Sequence, residues 1–158
     1  MESDTKTLYG VLIGLVQNKR VYLSRRLKVQ LYPGKWQLIN GHIRTGEEQS
    51  ADASVRIVER DTGLKLDRNR FHYVHSVFIK EINEFYYVHL VHLKEDETPV
   101  STENTVVSAL KSFKIADAVV LDVIPSVRSI LKRLNASLVV YESKMKRLEK
   151  YGERISQK

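Results

Sequence analysis

An α/β fold is predicted by three observations. Apolar side chains alternate at two-residue steps in the first third and again over 71–93, they recur at three- and four-residue steps over 47–60 and 125–134, and turn signals separate these runs. The expected architecture is one domain with a mixed sheet and helices over residues 1–134, followed by a C-terminal helix over 135–158. A chain of 158 residues with 42% hydrophobic residues is long and apolar enough to bury a single core.

Leu8–Val16 and Arg20–Arg26 read as two strands around the polar turn Gln17-Asn18-Lys19. Tyr32-Pro33-Gly34 is a strong turn signal, and Trp36–Ile39 a short strand ending at Asn40-Gly41. Over 47–60, Ala51, Ser54/Val55 and Val58 recur with helical spacing, and Thr62-Gly63-Leu64 supplies a left-handed glycine cap. Phe71–Ile79 and Glu84–Leu93 alternate as antiparallel strands joined near Ile82-Asn83. Residues 104–114 read as a short amphipathic helix or turn, Ala118–Ile124 as a strand or extended run, and Pro125–Leu134 as a helix with proline in its first turn. Beyond it, Leu138, Tyr141, Met145, Leu148 and Ile155 continue at three- and four-residue steps, interrupted by Gly152. Such a helix packs on the domain or on a partner, including a second copy.

Composition excludes several functions. With no cysteine there is no disulfide framework, zinc ribbon, iron–sulfur cluster or thiol nucleophile. The polar start and the absence of any stretch near the ~20 apolar residues of a membrane helix lead to the expectation of an intracellular, cytoplasmic protein without membrane contact. The net charge of +7 is uneven: residues 1–46 carry eight basic and two acidic side chains, and 135–158 carry six and three. A basic cluster that includes Lys19, Arg20, Arg25, Arg26, Lys28, Lys35 and Arg44 would attract phosphates, whether of a nucleotide or of RNA. His72, His75, His89 and His92 lack a ligand spacing and read as ordinary sheet residues. Tyr73, Phe85, Tyr86 and Tyr87 read first as cross-strand packing, with an exposed ring as a possible support for a base.

The run from Tyr32 to Glu48 with Pro33-Gly34-Lys35-Trp36 at its head, followed by Ala53 to Leu64, resembles the signature of the Nudix (MutT-like) superfamily. Gly41, five intervening residues and Glu47 match the front of its box, and Arg56, Val58, Gly63 and Leu64 match the back. The resemblance spans roughly residues 8–134 and implies the Nudix α/β/α sandwich.

In family members three carboxylates at i, i+3 and i+4 of the box helix hold magnesium against a diphosphate. Here eight residues rather than seven separate Glu47 from Arg56, so front and back cannot share one register. Registered on Arg56 and Gly63, the three positions hold Ile57, Arg60 and Asp61; registered on Gly41 and Glu47, they hold Arg56, Glu59 and Arg60. Either way one carboxylate remains and an arginine intrudes, a poor set for a hard dication.

The leading expectation is therefore a degenerate box that binds a nucleoside diphosphate-linked or RNA phosphate ligand with little or no hydrolysis. Arg25, Arg26, Arg56 and Arg60 would contact phosphate, and Trp36 or a sheet tyrosine a base. One alternative is a working Mg²⁺-dependent hydrolase in which a bulge lets Glu47 or Glu48, Glu59 and Asp61 converge, aided by Glu95, Asp96 or Glu97; Glu48, Glu59 and Asp61 would then hold the metal. A third reading is a structural subunit that holds a partner through the terminal helix.

Overall fold

The computed structural model describes residues 6–26, 34–44, 46, 48–102 and 107–156. Strands β1 (Leu8–Gln17) and β2 (Arg20–Arg26) form a hairpin, followed by the short strands β3 (Trp36–Gln37) and β4 (Ile39–His42). Helix α1 (Ser50–Thr62) leads through a 3₁₀ turn to β5 (His72–Ile79) and β6 (Glu84–His92). Strand β7 (Val107–Lys114), the short helix α2 (Ile115–Ala118) and the long helix α3 (Pro125–Ser156) complete the chain.

Asn18 and Lys19 both take positive φ, at 50° and 62°, which makes the two-residue turn whose twist matches a hairpin. Gln17 accordingly faces Arg20 across it. Strand β1 is the spine of the sheet. One edge pairs in parallel with β6 from Leu8 to Val16, and the other is shared between β4, over Gly10–Ile13, and β2, at Val16–Gln17. Strand β5 lies outside β6, and β2 carries both β3 and β7.

The two-residue alternation of β1 sorts its side chains into two cores. Val11, Ile13 and Leu15 pack with Ile39, Ala53, Ile57, Val58 and Val91 under α1. Leu12 and Val16 pack on the opposite face with Val88, Val127, Ile130 and Leu131 under α3. Helices on both faces of a mixed sheet make the α/β/α sandwich that the sequence predicts.

Three expectations change. Residues 107–114 form a strand, because all but one of them pair with β2 in the register from Arg20↔Lys114 to Arg26↔Val107, and pairing along a whole edge outweighs an ambiguous local rhythm. Residues 118–124 are not a strand: Ala118 ends α2, and only Val123 makes an isolated bridge, to Trp36. The helix from Pro125 also does not stop at Leu134 but continues unbroken to Ser156. Val127, Ile130 and Leu131 near its start are buried, whereas Val139, Val140, Leu148 and Tyr151 are exposed. The turn Tyr32-Pro33 lies outside the described residues. No helix among the described residues is long and apolar enough to cross a membrane.

Candidate functional site

Helix α1 is regular from Ser50 to Thr62, with Gly63 at φ 75° donating its N–H back to the Glu59 carbonyl at 3.0 Å. No bulge absorbs the extra residue of the box within this helix. The register is decided by an ion pair. Arg56 Nε and Nη2 donate to the Glu48 carboxylate at 2.9 and 2.8 Å, and Nη2 also donates to the His42 carbonyl at 2.9 Å. The Arg44 N–H donates to Glu48 Oε1 at 2.9 Å. The Arg56 hydrogen bonds, assisted by the Arg44 amide, hold the Glu48 carboxyl down at about 2. Glu48 thus ties the loop after β4 to the helix, and the surplus residue falls between Gly41 and Glu48.

With Arg56 as the fixed point, Ile57, Arg60 and Asp61 occupy the three carboxylate positions of the box. Ile57 is fully buried beneath Gly41, where a Cβ would stand 2.6 Å from Ile57 Cδ1. This glycine is required by close approach. Arg60 lies over the same spot: Nε and Nη2 donate to the Asp61 carboxylate at 2.7 and 3.2 Å, and Nη2 donates to the Asn40 carbonyl at 3.2 Å. Two oxygen groups that could serve a hard cation are therefore joined by a guanidinium. The Arg60 side chain stays 42% exposed while Asp61 is 11% exposed. The loop after β6 closes over this end of the helix, Thr102 Oγ1 donating to the Arg60 carbonyl at 2.6 Å.

The other proposed acids are placed apart. Glu59 is exposed and lies two residues, about 200°, around the helix from both Ile57 and Asp61, so it does not converge with them. Glu97 is held by both terminal nitrogens of Arg70 at 2.6 Å, a bond that lowers its carboxyl to about 2, and it also accepts from the Lys94 N–H. Glu95 and Asp96 are exposed. Glu47 lies outside the described residues. Among the described residues no group of three or more His, Asp or Glu side chains is arranged to hold a metal ion. Magnesium binds through one or two free carboxylates together with waters and substrate phosphates, and the Asp61 carboxylate at the box positions is already held by a guanidinium, so the described residues do not fit it.

Of the proposed phosphate ligands, Arg56 is committed to Glu48 and His42, and Arg25 is exposed with Nε donating to the Gly34 carbonyl at 3.1 Å. The Arg26 side chain lies outside the described residues. Trp36 is half-buried, edge-on to Phe113 at 5.0 Å and packed on the α3-side core, across the sheet from Arg60. It is a packing residue here rather than an open platform for a base.

Sequence reasoning misses one polar cluster. His42 Nε2 lies 3.0 Å from Glu84 Oε1, and the Tyr86 hydroxyl donates to the other oxygen of Glu84. His42, Gly10 and Tyr86 are lateral neighbours on β4, β1 and β6. A Cβ on Gly10 would stand 2.5 Å from the Tyr86 ring and 2.8 Å from the Gly41 carbonyl, so this glycine leaves room for the row. Its only sequence signal is a glycine inside an apolar strand. Of the four sheet histidines, His89 is buried against Ser50 Oγ at 3.0 Å, and burial lowers its pKa. Burial also lowers that of His75, with help from the nearby Arg133 charge.

The NUDIX domain model matches residues 6–134. The chain belongs to the Nudix family. Solved Nudix structures share its fold at low identity. The MutT NUDIX hydrolase of Burkholderia pseudomallei is 24% identical with a TM-score of 0.68, covering 80% of this chain and 97% of that one. The NUDIX domain of Shewanella oneidensis NrtR, complexed with ADP ribose, is 15% identical with a TM-score of 0.68, covering 87% and 94%. A MutT/nudix family protein of Enterococcus faecalis is 19% identical with a TM-score of 0.60; the match covers 72% of this chain but only 46% of that longer one. No curated protein matches the sequence itself.

Proposed function

We propose that this Nudix domain binds a nucleoside diphosphate-linked compound, or the phosphate of an RNA, beside Arg60 and with little or no hydrolysis. The observation that carries the reading is the Arg60 guanidinium lying between Asp61 and the Asn40 carbonyl, at the carboxylate positions of the box. Nε and Nη2 are used within the protein, whereas Nη1 has no protein partner among the described residues and belongs to a side chain 42% exposed. The two N–H groups of Nη1 remain to donate to phosphate oxygens, and a charged donor of this kind needs no metal to bind them. The NrtR domain, whose fold this chain shares, is described as complexed with ADP ribose, which makes that compound a sensible first probe.

Isothermal titration with ADP-ribose, other nucleoside diphosphate compounds and a short RNA, in EDTA and in Mg²⁺, tests the proposal when the titrated samples are then assayed for cleavage. Expected are equal affinity in both buffers, intact ligand, and about tenfold weaker binding for Arg60→Ala, the size of one charged hydrogen bond. Cleavage that appears only with Mg²⁺ would overturn it in favour of an active hydrolase.

A further inference from the structure

On the α1 side of the sheet the helix covers only part of the surface. Val11, Ile13, Leu15 and Val91 are buried beneath it, but the region around the start of β1 and β6 and along β5 is aromatic and open. Register sets Tyr9, Phe85 and Phe78 side by side on β1, β6 and β5. Next along the sheet, Tyr87 lies opposite Ser76, and His89 opposite Tyr73. The rings touch in sequence: Tyr9 to Phe85 at 5.8 Å, Phe85 to Tyr87 at 5.1 Å, and Tyr87 to Tyr73 at 6.3 Å. Their planes are inclined at 56°, 75° and 59°, so neighbouring rings are not stacked face to face. Tyr9, Tyr73 and Phe78 are 50%, 58% and 54% exposed, and the Tyr73 hydroxyl is held by Ser76 Oγ at 2.7 Å.

We infer that this face is a binding surface for single-stranded nucleic acid, with bases stacking on Tyr73, Phe78 and Tyr9. Aromatic rings on an open sheet accept any base through its π-face. Charge selects this occupant over a second copy of the chain: a net charge of +7 repels its like and attracts a polyanion. Exposed cations lie near the rings along the chain. Arg44 follows Ile43, whose N–H donates to the Tyr9 carbonyl at 2.8 Å, and Lys80 stands two residues beyond Phe78. Arg60 plays no part in this inference.

The test is fluorescence anisotropy with labelled single strands of about 12 nucleotides, a length within the range such surfaces occupy. RNA and DNA of one sequence are compared, with a duplex as control. Expected are binding of the single strands in preference to the duplex, affinity that falls with salt, and about a tenfold loss for Tyr73→Ala/Phe78→Ala. The Tyr73→Leu/Phe78→Leu variant keeps apolar area but removes the rings, and it should lose affinity to a similar degree with an unchanged circular dichroism spectrum. A preference for RNA or for DNA would assign the natural strand. Absence of binding, unchanged affinity in the leucine variant, or a dimer by light scattering that this variant converts to monomer would overturn the inference. Titration with small nucleotides reads Arg60 and titration with single strands reads the sheet, so the two proposals fail separately.

Discussion

Two arginines of helix α1, Arg56 and Arg60, make carboxylate pairs that are chemically alike and structurally different. Glu48–Arg56 joins a loop to the helix across eight positions, both side chains largely shielded at 16% and 24% exposure. Arg60–Asp61 joins sequence neighbours, and its guanidinium remains 42% exposed. The first pair fixes where the chain goes, since every remaining oxygen and nitrogen contact around it comes from the loop it closes. The second fixes only the orientation of one side chain. An ion pair holds the backbone in place when its partners are distant in sequence, and it poises a charge for a ligand when they are adjacent and one edge faces solvent.

The sharpest way to break that contrast is Arg56→Ala. It strands the Glu48 carboxylate and frees the loop, and a loss of about 2 kcal/mol is expected from urea unfolding. Acid probes the same pair. The folded Glu48 pKa of about 2 lies below the ordinary 4.5, so its stabilisation is complete above about pH 4.5 and is lost as the pH falls towards 2. Glu48→Gln should therefore be markedly less stable than the parent at pH 7, and the gap should close on acidification. A gap that stays constant with pH would show that the charge on Glu48 is not what holds the loop. Glu97 with Arg70 titrates in the same window but is present in both proteins, so it cancels in the comparison.

How much of this was legible in the sequence follows from which contacts are local. The hairpin, α1 with its glycine stop, the β5–β6 pair and the start of α3 all have a period or a turn residue that needs no distant partner to be recognised. Strand β7 was misread because Val107, Leu110, Lys111 and Lys114 suit a helical step as well as a strand, and only β2 decides between them. The box had two registers one residue apart. Nothing local separates them, because the deciding contact is Arg56 reaching back eight positions to Glu48. Trp36 was offered as a base contact on its residue type, and its packing on Phe113 lay 77 positions away. The His42–Glu84–Tyr86 cluster joins β4 to β6 across β1, 42 positions apart, and leaves no spacing to find.

The second pair can be turned into a different site. Arg60→Glu would place two adjacent carboxylates beside the Asn40 carbonyl where a guanidinium now bridges them. Mg²⁺ should then stabilise the variant but not the parent, by about 1.4 kcal/mol at a free concentration ten times Kd. Equal thermal shifts in both proteins would mean that Arg60 does not exclude the metal.

Arg60→Ala should have the smallest effect on the fold. Its removal exposes Asp61, which is 11% accessible and lies at the end of the helix where water can replace the lost donors. The Asn40 carbonyl loses one 3.2 Å partner, and Ile57 beneath it is untouched. A loss of about 1 kcal/mol is expected, smaller than for Arg56→Ala because the arginine end of this pair is open to solvent. Binding of a nucleoside diphosphate compound should nevertheless weaken about tenfold, because the ligand loses a charged donor that the fold does not need. A large loss of stability in this variant would place Arg60 beside Arg56 as a structural clamp and remove the distinction between the two pairs.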